Sequence, residues 1–371
     1  MFGLSPSLYF PTHLVIISLF TLYYYNWLQT MPVKRILYMQ KPPTVALFYA
    51  LLFIYVVGMR PVSIAFGDTV NYARTYYNMS EVLDFSEFMG KDVFFYRFMF
   101  FCAHHMPIYY FFLIIEIVYI GTMALACWRL DRRNFPILLI VCMSAYSFFS
   151  YGVNGLRNGM ACNMIILAMT YILGNTKDKL ICAALCLAAV NIHHSAMLPV
   201  VAMVFVYFYR KPRMMFYFWI ASILISLTAG GMVESFFAGM GFDDRLNDYI
   251  SAQGDEDEMS QFSQTGFRWD FLLYSAMPVI MGWFVVFKRK IIDMNYMILL
   301  GTYIYSNAFW VMVIRSSFSN RFAYLSWFLY PLVLTYPLLR FPLWEKKQGR
   351  YTAYIIGGHL AFTIFMWSIG K

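Results

Sequence analysis

Apolar runs of membrane-crossing length recur along this chain from residue 7 to residue 369, and they restrict its fold more than any other feature. A hydrocarbon core of about 30 Å takes roughly 20 apolar residues of helix, and every backbone polar group inside it must be satisfied within the protein. Twelve segments can be drawn: 7–28, 44–60, 107–128, 135–152, 156–173, 179–192, 195–209, 214–232, 270–287, 294–314, 321–338 and 351–369. With 61% hydrophobic and 13% charged residues, the chain reads as an all-α polytopic membrane protein, a single integral domain over 1–371. The expectation is about twelve transmembrane helices, two of them short, with an interfacial helix in a first outer loop (61–106) and a larger outer loop (233–269). The first segment lacks a basic leader and a small-residue cleavage site, so it reads as a span rather than a signal peptide.

The formal charge of +9 does not point to nucleic acid, because the basic residues are dispersed in small groups between apolar runs. Loops holding Lys34/Arg35/Lys41, Arg129/Arg132/Arg133, Lys177/Lys179, Arg210/Lys211/Arg213, Lys288/Arg289/Lys290 and Arg340/Lys346/Lys347/Arg350 alternate along the chain, as cytoplasmic loops do. Both termini then lie outside. The inner loops carry 18 basic and 4 acidic residues, a consistent bias from end to end.

Lysine obeys this bias and arginine does not. Nine of eleven lysines are inside, but Arg60, Arg74, Arg97, Arg157, Arg245, Arg268, Arg315 and Arg321, eight of seventeen arginines, are outside. Guanidinium is a planar fork that grips phosphate or carboxylate in two-point fashion, whereas ammonium is a hydrated point charge. The outer face therefore looks built to hold an anion, although Arg60 and Arg97 also suit snorkelling toward headgroups.

Within 61–106 the turn Phe66-Gly67-Asp68-Thr69 leads through Tyr72 and Arg74 to the aromatic stretch Val93–Cys102, too short to cross and suited to an interfacial or re-entrant helix. The loop 233–269 carries the acidic run Asp255-Glu256-Asp257-Glu258, which reads as solvated, between flanks holding Arg245 and Arg268 with aromatic and amide residues suited to sugars. Arg315 and Arg321 bracket a hydroxyl-rich turn that ends in Asn320. Segments 179–192 and 195–209 supply only about 21 Å of helix each at 1.5 Å per residue, so their junction, Asn191-Ile192-His193-His194-Ser195, is carried to membrane depth. Nearby in sequence, Asn154-Gly155-Leu156-Arg157-Asn158-Gly159 places Arg157 at a helix start, where an anion between cation and helix dipole is favoured.

Glu116, alone inside a span, reads as a hydrogen-bonded strut; His13 and His359 read as structural, and His104 and His105 as headgroup contacts. Six cysteines in apolar stretches make no disulfide framework, and Cys182/Cys186 read as packed thiols rather than a metal pair. No P-loop, dinucleotide fingerprint, serine elbow or zinc spacing occurs, and no metal or cofactor is expected.

In this order, Gly67-Asp68 with Tyr72, Gly155-Leu156-Arg157-Asn158-Gly159-Met160-Ala161, His193-His194-Ser195-Ala196 and Asn320-Arg321-Phe322 resemble the EpsG-like branch of the Wzy-type polysaccharide polymerases, across most of the chain. The resemblance implies a bacterial inner-membrane glycosyltransferase. Such an enzyme joins undecaprenyl-diphosphate-linked oligosaccharide repeat units on the periplasmic face, without a metal, for capsule, exopolysaccharide or O-antigen. Other polysaccharide-export or chain-length proteins are the partners it implies. It carries Asp68, Arg157, His193 and Arg321 over as catalytic residues; Arg60, Arg74, Tyr72, Arg245, Arg268, Arg315, Asn320, His194 and Ser195 are the candidate substrate contacts around them. A polyprenyl-phosphate-sugar-dependent multispanning glycosyltransferase is an alternative, though Asp68 lacks an adjacent acid. A lipid-linked-oligosaccharide transporter would show internal repeats and charges on both faces, and a membrane O-acyltransferase could also use an intramembrane histidine.

Overall fold

A computed structural model describes residues 4–88, 90, 92–239, 266–315 and 320–370. Among these residues all regular structure is helical, in chain order α1 (Tyr9–Thr30), α2 (Val33–Tyr38), α3 (Thr44–Gly58), α4 (Thr69–Glu81), α5 (Val93–His105), α6 (Ile108–Leu130), α7 (Phe135–Met143), α8 (Phe148–Val153), α9 (Leu156–Met169), α10 (Thr176–Ile192), α11 (Met197–Phe208), α12 (Pro212–Gly239), α13 (Trp269–Trp283), α14 (Met294–Met312), α15 (Asn320–Trp327), α16 (Tyr330–Arg340) and α17 (Gln348–Ser368).

Among the described residues five stretches are both long and apolar enough to cross a membrane: Pro6–Thr30, Ile108–Leu130, Pro212–Val233, Trp269–Lys288 and Arg321–Arg340. Thr44–Gly58 and His194–Phe208 are apolar but shorter. Several expected spans are thus cut down, and the reason is local. Segment 135–152 breaks at Ser144–Ser147 into α7 and α8, and 156–173 stops being α-helical at Met169. The first outer loop departs the other way, since it holds two helices, α4 and α5, rather than one. α12 runs on to Gly239, past the expected start of the second outer loop at 233. Arg245, the acidic run 255–258 and Ser316–Ser319 lie outside the described residues.

The chain divides into two compact units, one of residues 1–196 with 335–371 and one of residues 197–334. In the first, α1 packs on α17 and α7, α3 on α6, α6 on α9, α9 on α10, and α5 on α4 and α10. Its loops sort to opposite ends. At one end the buried Lys41 ammonium donates to Asn134 Oδ1 and Ile36 O, both at 2.6 Å, and Asn134 Nδ2 donates to Asp131 Oδ2 at 2.7 Å and Leu339 O at 3.1 Å. Arg129 and Thr170 meet there as well, at 2.9 Å. At the other end lie the turns around Arg60, Asp68, Asn154, Arg157 and His193, linked as described below. Alternation of basic and non-basic loops along the sequence therefore becomes segregation in space.

The α7–α8 break is possible in an apolar setting because its freed carbonyls find donors. His13 Nε2 lies 3.1 Å from Met143 O, with the Tyr49 hydroxyl 2.5 Å from His13 Nδ1. His359 Nε2 lies 3.2 Å from Val141 O, Thr363 donates to Ser144 O at 2.8 Å and Tyr119 to Phe148 O at 3.0 Å. Helices α1, α17 and α6 supply these groups, and both histidines are structural, as their isolation in apolar runs implied.

In the second unit α14 is the central element, packed by α11, α12, α13 and α15. Asp293 caps it by accepting the Tyr296 N–H at 2.9 Å. A polar thread ties the surrounding helices to it: Trp219 Nε1 to Asn307 Oδ1 at 2.8 Å, Asn307 Nδ2 to Ser326 Oγ at 3.0 Å, and Tyr303 Oη to Ser275 O at 2.8 Å. Without water to compete, such pairs orient helices whose apolar surfaces lipid would solvate equally well.

Candidate functional site

The site in the first unit is assembled on the turn between α8 and α9. Val153 O accepts from Thr69 Oγ1 at 2.9 Å and from Arg60 Nη2 at 3.3 Å, and Asn154 Oδ1 accepts the Asp68 N–H at 2.7 Å. This pins the Gly67-Asp68 turn to the start of α9. Gly67 has φ +60°, and a Cβ there would stand 2.5 Å from Asn154 Oδ1, so only glycine suits both the turn and the approach. Gly159 has a parallel role on α9: a Cβ would meet Tyr151 O at 2.6 Å and the Tyr119 ring at 3.1 Å.

Asp92, which sequence reasoning passed over, stands at the centre. It takes the N-cap position of α5, where an aspartate ordinarily accepts N–H groups of its own first turn, but its side chain makes no such bond. Its φ of +64° is a left-handed conformation that costs a non-glycine residue energy. The carboxylate instead faces outward from its helix. Oδ2 accepts from Arg157 Nη1 at 2.6 Å, and Oδ1 accepts the His194 backbone N–H at 2.6 Å. His193 Nδ1 lies 3.7 Å from Oδ2, an electrostatic contact too long for a hydrogen bond. Burial pushes the Asp92 carboxyl up, but His193, the Arg157 charge and the His194 N–H outweigh it and hold it below the ordinary value. The available signal was an acid immediately before an aromatic helix, an N-cap pattern, and nothing in it indicates the distant partners.

Arg157 opens α9 and is partly exposed, at 21% of its side chain. Arg157 meets an anion from within the chain, the Asp92 carboxylate. The buried Tyr72 hydroxyl also shares a hydrogen bond with Arg157 and feels Asp68; burial raises its phenol pKa against the lowering pull of Arg157. The guanidinium lies 5.5 Å from the Tyr96 ring centroid and 6.0 Å from that of Phe95. Asp68 itself is half-buried and accepts from Asn71 Nδ2 at 3.2 Å. His193 ends α10, His194 and the buried Ser195 form the following 3-10 turn, and both imidazoles are half-buried. Asp68, Tyr72, Asp92, Arg157, His193 and His194 are therefore brought together from separate stretches of one unit.

Arg60 is placed differently. Its guanidinium is wholly buried and pairs with Glu116 Oε1 at 3.2 Å, donates to Val57 O at 2.9 Å, and lies 4.6 Å from the Phe112 ring centroid. It does not snorkel, because the acid it pairs with is inside the helix bundle. Arg60 supports the site by holding Val153 O. Arg74 and Arg97 are exposed, Arg97 lying 5.6 Å from the Phe85 ring centroid.

The remaining candidates belong to the second unit. Arg268 grips Asp270 with both arms of its fork, at 2.9 and 2.7 Å, and lies 4.0 Å from the Phe271 ring centroid. Arg315 lies 5.7 Å from the Phe267 ring centroid and rests on Gly230; its Nε is buried with no hydrogen-bond partner among the described residues. Asn320 and Arg321 begin α15, with Arg321 half-buried. Among the described residues no group of three or more His, Cys, Asp and Glu side chains is placed to hold a metal ion.

Several long apolar helices and a cluster of charged and imidazole groups at helix ends define a multi-pass membrane protein, and its kinship is with polysaccharide biosynthesis. The chain belongs to the EpsG family, which it matches over residues 43–371, and it is thus a polysaccharide polymerase-like membrane protein. No curated protein and no solved structure matches it.

Proposed function

We propose that this protein polymerises undecaprenyl-diphosphate-linked oligosaccharide repeat units at the outer face of a bacterial inner membrane, with the shorter apolar helices completing a bundle of about twelve spans. The observation that carries this reading is the meeting of Arg157, Tyr72, Asp68 and His193 at the end of the first unit opposite its basic loops. A lipid diphosphate presents its charge at that level of the bilayer. The family match supports the reaction class.

In this mechanism an acceptor hydroxyl attacks the anomeric carbon of the lipid-linked glycan. A new C–O glycosidic bond forms as the C–O bond to diphosphate breaks, and the diphosphate leaves with the electron pair. His193 takes the hydroxyl proton through Nε2, and Asp68 orients the sugar or serves as the alternative base. Arg157 stabilises charge on the departing diphosphate, and such a donor is typically worth ~3 to 4 kcal/mol. In the first unit Arg74, His194 and Ser195 extend recognition along the head group and glycan; Arg321, Arg315, Arg268 and Asn320 are the candidate contacts of the second unit. The reaction calls on no group beyond these side chains.

Deleting the gene should replace a ladder of surface glycan on a gel by one short band. Complete loss of surface glycan would indicate a transporter instead. Arg157→Lys keeps the charge but loses the fork, so polymer yield should fall about as far as in Arg157→Ala, roughly 100-fold or more, with membrane insertion intact. Near-normal chain length in Arg157→Lys would remove Arg157 from the diphosphate site.

A further inference from the structure

We infer that Asp92 is a positioning residue that passes its carboxylate from Arg157 to His193 when a diphosphate binds, so that the leaving group's own arrival aligns the base. This rests on the polymerase reading for its substrate, but the geometry behind it is independent. One oxygen, Oδ2, stands 2.6 Å from Arg157 Nη1 and 3.7 Å from His193 Nδ1. His193 Nδ1 is buried and has no hydrogen-bond partner among the described residues, an uncommon condition for an imidazole nitrogen facing a carboxylate. The other oxygen, Oδ1, is tied to the His194 N–H, so the carboxylate is anchored beside His193 whatever Arg157 does. Asp92 has no duty toward its own helix that would hold it elsewhere.

The chemistry follows from competition for the guanidinium. The Asp92 carboxylate partly neutralises Arg157, which lowers the cost of holding a cation at a helix N-terminus. A diphosphate offers more charge and more acceptor oxygens than one carboxylate, so it draws Arg157 toward itself. Oδ2 then has Nδ1 as its nearest donor, and a movement of less than about 1 Å makes a charge-assisted hydrogen bond of ordinary length. With the proton on Nδ1 held by Asp92, Nε2 carries the lone pair that takes the acceptor proton, and the carboxylate stabilises the imidazolium formed. The same arrangement orients histidine in hydrolytic triads. No electrons or co-reactants enter beyond the transfer already written.

The test uses the full chain in lipid nanodiscs with nitrogen-15 histidine, the His193 signals being identified by their loss in His193→Ala. Saturating inorganic pyrophosphate should move His193 toward the Nδ1–H tautomer, and Asp92→Asn should abolish that response while still binding pyrophosphate. In turnover, Asp92→Asn should lower kcat about 100-fold with donor KM unchanged or lower, and Asp92→Glu should restore part of kcat. An unchanged wild-type spectrum at saturation, or an equal response in Asp92→Asn, overturns the proposal. So does a raised donor KM with kcat intact. The two readings separate cleanly: a pyrophosphate response in protein that never makes polymer defeats the polymerase and leaves the exchange standing, whereas polymer made without the response defeats the exchange alone.

Discussion

At the residue scale, two arginines of the first unit are each paired with an acid from a distant stretch of the chain. Arg157 with Asp92 is half-open and Arg60 with Glu116 is closed, at 0% exposure of both side chains. The contrast is one of access: the Arg157 guanidinium can reach a ligand, and the Arg60 guanidinium cannot. For the closed pair, Glu116→Ala strands a buried guanidinium and should cost about 3 to 5 kcal/mol, while replacing both members with apolar residues of similar volume should recover most of it. Denaturant unfolding in detergent measures both. Asp92 predicts a pH dependence. Its folded-state pKa is depressed from 3.8, so the unfolded chain binds the proton first as pH falls. The stabilisation is therefore complete above the unfolded value and is lost as pH drops through the lower folded one. The difference in melting temperature between wild type and Asp92→Asn should shrink as pH falls into the acid range below about 4.

At the element scale, the interrupted α7–α8 segment shows how a membrane helix can be broken and remain satisfied. His359→Leu and Thr363→Val each remove a donor from a buried carbonyl, and each should cost about 1 to 3 kcal/mol, read as faster thermal inactivation with unchanged activity before heating. The break also shows what was and was not legible beforehand. Residues 135–152 are apolar apart from Ser144, Ser147, Ser150 and two tyrosines, a content that a continuous span also tolerates, so composition does not distinguish one helix from two pieces. What decides it is whether donors from other helices reach carbonyls 141, 143 and 144, and His13, His359 and Thr363 lie far away in sequence. The Gly67-Asp68 turn was legible for the opposite reason. Glycine followed by a polar residue at a helix exit is a local signal, although only the fold shows that Asn154 is what the glycine makes room for.

At the scale of the whole molecule, the inside and outside loops read from charge bias become a testable sidedness. All six native cysteines are buried, so single cysteines can be added without removing them. A membrane-impermeant maleimide applied to intact spheroplasts should label Ser86→Cys, in the first outer loop, and should label Arg132→Cys only after lysis. The reverse pattern would invert the topology and place the Arg157 cluster away from the lipid-linked donor.

The sequence by itself determined the class, the alternation of basic and non-basic loops and the family, and it singled out Arg157 and His193 as candidates. Hydrophobic length, charge bias and short motifs are properties of neighbouring residues, and they survive without knowledge of the fold. Tertiary structure alone decided which charge answers which. Asp92 lies 65 positions before Arg157 and 102 before His194, and its flanking residues carry no trace of either. In a medium that cannot solvate ions, an arginine's role depends on the nearest carboxylate in space, and that distance exists only once the helices have packed.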